Sequence, residues 1–254
     1  MQGREWTPIG RWHNPFIGTF DGQGYIISNL QITKEPSVAG GLFAIIENSK
    51  IINVGLENIN INYIAQRSSM AGGLVVSAEN SYISNCFVTG SISVSAVVHS
   101  SVGGIISDGT NSTVNDCYSI VNLSASASEP NRTAPETYVG GIMFLNHEDK
   151  SIITNCFWSI DTVYRVNGIE LANNEKTGVF WSAIRRDLKA NDTTTPLTTE
   201  EILLLLDSLM QASSDSIPIN GSRFHILILI TATAIVGARI ARPRKEKNHA
   251  ITRL

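Results

Sequence analysis

The chain has 254 residues, 43% of them apolar and 16% charged, enough apolar material for one large or two small domains and too much for disorder over most of its length. Ser, Thr, Asn, Ile and Gly are abundant, as in long β-structures with many turns, so a helical bundle is disfavoured. The net charge of −3 hides an asymmetry: Arg223, Arg239, Arg242, Arg244, Lys245, Lys247 and Arg253 stand in the last 32 residues beside a single acid, Glu246. An acidic body argues against nucleic acid as partner of the repeat region, and a basic tail points towards an anionic membrane face.

The first residues, Met1-Gln2-Gly3-Arg4-Glu5-Trp6, are polar and do not form a secretory leader. From Trp6 to Ile32, turn residues such as Gly18 and Asp21-Gly22 alternate with short β-branched and aromatic runs, which predicts strands and tight turns. A phrase then repeats: Gly40-Gly41-Leu42-Phe43, Gly72-Gly73-Leu74-Val75, Gly103-Gly104-Ile105-Ile106 and Gly140-Gly141-Ile142-Met143, with spacings of 32, 31 and 37 residues. Such a period marks a stacked repeat.

A second phrase keeps step with the first: Ile52-Asn53-Val54, Ser84-Asn85-Cys86, Asn115-Asp116-Cys117 and Thr154-Asn155-Cys156. Between the phrases lie polar turns such as Ser77-Ala78-Glu79-Asn80 and alternating segments such as Gly90-Ser91-Ile92-Ser93-Val94-Ser95. Three short strands per turn of chain describe an all-β, right-handed parallel β-helix, in which the glycines are close-packed strand starts and no single turn can bury its own apolar face. Like residues of successive turns then stack about 4.8 Å apart.

Cys86, Cys117 and Cys156 occupy one column with Val54, so an inward core ladder is the favoured reading, with a disulfide between adjacent turns or a metal as the alternatives. Asn53, Asn85 and Asn155 form the neighbouring column, interrupted by Asp116, and their amides are expected to close turns and bond along the stack. Asp21, Asp108 and Asp116 are the nearest approach to an acidic site and are too scattered to predict general acid–base chemistry. The longest link, Ser124 to Pro135, reads as an exposed loop; Ser124, Glu129, Asn131 and Arg132 are its candidate binding residues, although a merely solvated loop is the more ordinary reading. No cofactor is implied.

Thr198-Thr199-Glu200-Glu201 opens a helix whose leucines are expected to cap the open end of the solenoid. The organisation is thus a repeat domain over residues 1–158, a terminal module with a capping helix over 159–212, a polar linker over 213–223, a single transmembrane helix over 224–241 and a basic tail over 242–254. The positive-inside tendency puts the tail in the cytoplasm and the repeats outside the cell. Five acceptor sequons, at Asn111, Asn122, Asn131, Asn191 and Asn220, are compatible with that address.

The Gly-Gly phrases, the opening Phe16-Ile17-Gly18-Thr19-Phe20-Asp21-Gly22-Gln23-Gly24, the Asn-Cys columns and Thr154-Asn155-Cys156-Phe157-Trp158 together resemble the GLUG-motif repeat family of prokaryotic surface proteins. The likeness covers residues 6 to 202 and is loose from Ser159 to Thr195. It departs from the family wording at Ala44, Val76, Ser107 and Phe144, where a closing small residue is expected. The resemblance implies a surface-displayed β-solenoid without catalytic residues of its own. It also implies a strand-rich segment and a leader ahead of Trp6, so Met1 is expected to be an internal start. The metallopeptidase motif found in some members is absent, because His147-Glu148-Asp149-Lys150 has no second histidine.

The expected role is therefore a cell-surface, membrane-anchored, non-catalytic stalk, adhesion or binding module for a glycan or protein ligand. The alternatives are a carbohydrate-active β-helix enzyme and a tail-anchored intracellular structural protein.

Overall fold

Runs of three to five β-branched or small residues, punctuated by Asn and Gly, cannot continue straight and instead turn a corner every few residues. In the computed structural model, which describes residues 5–33, 40–128, 136–145, 151–181 and 194–214, this produces a stack of polygonal turns. An entry segment supplies β1 (Thr19–Asp21), β2 (Ile26–Ser28) and β3 (Gln31–Ile32). Three complete turns follow: β4 (Phe43–Glu47), β5 (Lys50–Ile52), β6 (Gly55–Ile64) and β7 (Ser68–Gly72); β8 (Val75–Glu79), β9 (Tyr82–Ser84), β10 (Phe87–Ala96) and β11 (His99–Gly103); β12 (Ile106–Thr110), β13 (Thr113–Asn115), β14 (Tyr118–Ala127) and β15 (Glu136–Gly140). A partial turn of β16 (Met143–Leu145), β17 (Ile152–Thr154) and β18 (Phe157–Ser159) leads to β19 (Tyr164–Val166), β20 (Ile169–Glu170), β21 (Val179–Trp181), β22 (Thr195–Leu197) and α1 (Thr199–Ser214).

Each complete turn therefore has four sides, where the sequence predicts three. Strands of successive turns pair in parallel into four sheets, β4-β8-β12-β16-β21, β1-β5-β9-β13-β17, β2-β6-β10-β14-β18-β22 and β7-β11-β15. The fourth side is formed by Ser68-Ser69-Met70-Ala71 and its counterparts in β11 and β15, and the small and polar side chains of Ser68-Ser69-Met70-Ala71 give no strand signal. For the same reason the Gly-Gly phrases are corners and not strand starts. Gly72 ends β7, the chain turns through Gly73 and Leu74, and β8 begins at Val75. A Cβ at Gly104 would collide with the Gly141 carbonyl and the Ser119 hydroxyl, and one at Gly73 would lie 2.7 Å from Val88 Cγ1. The corner admits no side chain there.

Inside, like residues stack in columns: Ile51, Ile83, Val114 and Ile153; Phe43, Val75, Ile106 and Met143; Ile61, Ile92, Leu123 and Tyr164. All belong to one continuous apolar core. Burial of each aliphatic side chain contributes about 1.5–3 kcal/mol, a gain that a single turn could not collect because its columns would face water. The predicted alternation at Ser91 to Ser95 is present, with Ile92 and Val94 buried in β10.

The predicted helix forms and its start is the expected reciprocal cap. Thr198 Oγ1 accepts from Glu201 N at 3.0 Å, and Glu201 Oε2 accepts from Thr198 N at 2.8 Å. Its place differs from expectation. Ile202 and Leu205 pack on Phe87, Tyr118, Phe157 and Leu197, a separate cluster on the outer side of β10, β14, β18 and β22. The last turn of the core is instead closed by Trp158 and Tyr164, whose ring centroids are 5.7 Å apart. Phe87, Tyr118 and Phe157 share a column outside the main core, and these rings form the apolar surface on which Ile202 and Leu205 pack.

From residue 215 onward the chain, which includes most of the predicted linker and all of the predicted span and tail, lies outside the described residues. Among the described residues no helix is long and apolar enough to cross a membrane. Gly104→Ala is expected to lower the unfolding free energy by about 3 kcal/mol, because backbone must move to admit the methyl group; a denaturant titration followed by circular dichroism measures it.

Candidate functional site

At two of the corners a residue takes the left-handed conformation, which Asn tolerates better than other side-chain-bearing residues. Asn53, Asn85, Asp116 and Asn155 do so between the second and third sheets, with φ of 59°, 54°, 51° and 51°. Their side chains stack as the sequence predicts: Asn53 Nδ2 donates to Asp21 Oδ1 at 2.9 Å, and Asn85 Nδ2 donates to Asn53 Oδ1 at 3.3 Å. Asp116 is 1% exposed and accepts from Asn115 Nδ2 at 2.5 Å. Burial raises its carboxyl pKa above the ordinary value, and hydrogen bonds from Asn155 and Asn115 oppose that rise. A second left-handed column, Asn48, Asn80 and Asn111, marks the corner between the first and second sheets. Its spacing was as readable as that of the Asn-Cys phrase.

Beside that column runs a buried ladder of serines, also absent from the sequence expectations. Ser81 Oγ accepts from Ser49 N at 3.1 Å and donates to the Glu79 carbonyl at 2.7 Å. Ser112 Oγ accepts from Ser81 N at 3.1 Å, and Ser151 Oγ accepts from Ser112 N at 3.0 Å. Each hydroxyl satisfies a backbone N–H of the preceding turn at a corner where sheet pairing is interrupted.

Cys86, Cys117 and Cys156 are fully buried free thiols, as the core reading expects. Cys86 and Cys156 point their S–H groups at carbonyls of Ser84 and Thr154, at 3.2 and 3.3 Å. Burial, reinforced by the flanking sulfurs, pushes the Cys117 thiol well above its ordinary range, so thiolate chemistry is suppressed.

Of the candidate loop residues, Ser124 is corrected: it lies inside β14, which continues to Ala127 and pairs with β10 in unbroken register. The β-strand persists because Leu123, Ala125 and Ala127 alternate inward as small or aliphatic core residues. Glu129, Asn131 and Arg132 lie outside the described residues. Ser124 belongs to a flat outward array of uncharged side chains, Asn60, Ser91 and Asn122 in one column and Asn62, Ser93 and Ser124 in the next.

A different cluster gathers where the fourth sheet meets the first, on the outside of the Gly-Gly corner. Ala44, Val76 and Phe144 are buried there yet stand apart from the main core. Phe144 stacks on Tyr138 at a centroid distance of 4.7 Å, and the His99 ring lies 5.6 Å from Tyr138 and 6.1 Å from Phe144. His99 Nδ1 is 3.5 Å from Glu136 Oε2, its in-register neighbour on β15. Burial lowers the His99 pKa, and the Glu136 carboxylate partly restores it. Ser101 Oγ and Ser107 Oγ meet at 3.2 Å nearby, but both serines are completely enclosed, so neither hydroxyl is presented to an outside substrate.

The three acids considered from the sequence do not converge. Asp21 and Asp116 stand three turns apart near one corner, Asp21 in register with Asn115 rather than with Asp116, and Asp108 lies in β12 on another side. Among the described residues no group of three or more His, Cys, Asp or Glu side chains could hold a metal ion. No protein-family model matches the chain, and no curated protein matches it.

Ser81→Ala is expected to cost about 1–3 kcal/mol by leaving the buried Ser49 N–H unsatisfied. Ser93→Ala on the outer array should stay within about 0.5 kcal/mol in the same thermal or denaturant assay. Because the native pKa of His99 lies below 6.5, its contribution to stability is complete above that value and is lost as the pH falls through it. Imidazole resonances followed by NMR should titrate below the ordinary range for His99, and lower still in Glu136→Gln.

Proposed function

We propose that this chain is a GLUG-like, right-handed β-solenoid that serves as a non-catalytic stalk, adhesion or binding module on the cell surface, anchored by residues 224–241 with its basic tail in the cytoplasm. The observation that carries this reading is the use made of its repeated polar side chains. The Asn column bonds along itself, the Ser and Cys columns bond to backbone groups of the stack, and Asp21, Asp108 and Asp116 do not assemble into a constellation. What these strands offer outward is a patch of Asn and Ser on β6, β10 and β14, bordered by Arg165 in register with Ser124 and by the exposed Glu57. That surface suits a neutral, hydroxyl-rich glycan or a protein ligand recognised by hydrogen bonds rather than by charge.

The apolar run from Phe224 to Ala238, followed by Arg242, Arg244, Lys245 and Lys247, supports the anchor and its orientation. Right-handed coiling follows from the handedness of parallel strand crossovers. Protease added to intact cells expressing the full chain should remove the repeat domain and leave a short membrane-bound fragment. Repeats that resist on intact cells and are cut only after lysis would show that they face the cytoplasm.

A further inference from the structure

At this corner the Asn53 and Asn85 amides lie between two carboxyl groups, that of Asp21, whose backbone pairs one residue before the column, and that of Asp116 within it. In this stack both amides donate towards Asp21, so neither supplies an N–H to the step from Asn85 to Asp116. Asn53 donates to Asp21, Asn85 donates to Asn53, and at equivalent corners of successive turns Asn85 Oδ1 and Asp116 Oδ1 are both buried without a hydrogen-bond partner. Buried acceptors without a donor and out of reach of water are costly.

We propose that Asp116 binds a proton in the folded protein and, as a neutral carboxylic acid, donates it to Asn85 Oδ1. The bond completes a one-directional chain of hydrogen bonds that ends on the Asp21 carboxylate. The proton belongs to Asp116 and not to Asp21, because Asp21 is exposed and also accepts from Gln23 N at 2.9 Å, whereas Asp116 is enclosed. The side chains facing Asp116 are amides, Asn115 beside it, Asn85 from the turn before and Asn155 from the turn after, and none supplies a positive charge to hold an anion. The neighbouring ionisable groups Cys117 and Tyr118 are themselves kept neutral by burial.

The sign of the pH dependence follows. With a native pKa above 3.8, the folded state holds more protons than the unfolded one between the two values, so this contribution is full at acidic pH and lost as the pH rises through the native value. Asp116→Asn replaces the titrating donor with a permanent one. In the full chain it should raise the unfolding midpoint at neutral pH by ~3 °C and change it little at about pH 4, so that the difference between variant and wild type grows with pH. A variant that gains nothing at neutral pH, or gains equally at both, overturns the proposal. A measurement on the wild type needs no variant: with isotope-labelled aspartate, one carboxyl carbon resonance should remain in its protonated position well above the ordinary aspartate range. If every aspartate titrates within that range, Asp116 is an anion and the proposal fails.

Discussion

Chain reversal without loss of backbone pairing is the constraint on which the rest of the molecule depends. A strand that must turn four corners in about 31 residues needs, at several of them, a residue that tolerates positive φ, and only Asn and Gly do so at low cost. Placing Asn at the same corner of every turn brings the amides within bonding distance of one another, because the strands on either side are already in register. The side-chain ladder is thus a by-product of the backbone requirement. It then becomes a second lock on the register, since slipping one turn by a residue would break every amide contact at once.

The glycine corners solve the same problem by subtraction. Where Gly73 and Gly104 turn, the space that a Cβ would need is occupied by Val88 and Ser119 of the neighbouring sheet and by the carbonyl of the next turn. Sheets can therefore close tightly enough for Val, Ile and Cys to fill the interior without a large aromatic core. The largest rings are pushed to the ends and the outside: Trp158 and Tyr164 close the last turn, while Phe87, Tyr118 and Phe157 form the outer stripe that receives α1.

Legibility in the sequence followed the strength of local signals. The Gly-Gly and Asn-Cys phrases reveal the period, the parallel stacking and the buried thiols, because each combines a rare backbone need with a repeated position. The fourth side was hidden because Ser68-Ser69-Met70-Ala71 carries neither alternation nor β-branching; it becomes a strand only through the partners at His99–Gly103. The serine ladder was missed for a related reason. Serine at a turn is common, and nothing in Ser49, Ser81 or Ser112 alone tells a solvated hydroxyl from one that caps the backbone of the turn before. The His99 cluster depended on register, since Glu136 lies 37 positions away and is brought alongside only by the pairing of β11 with β15.

That pairing also separates chain length from structural pitch. The turn that ends at β15 contains five or six residues more than its predecessors, yet His99 to Gly103 still face Glu136 to Gly140 one to one. The additional residues fall between Ser128 and Glu136, and the pairing on either side keeps its register. The next turn takes its own two additional residues at a different corner, between Met143 and Ile152, and a one-residue difference inside the long strands β6 and β10 is absorbed by an irregularity between Val88 and Gly90. Length differences between turns are thus carried between paired segments, where the stacking of core residues does not depend on them.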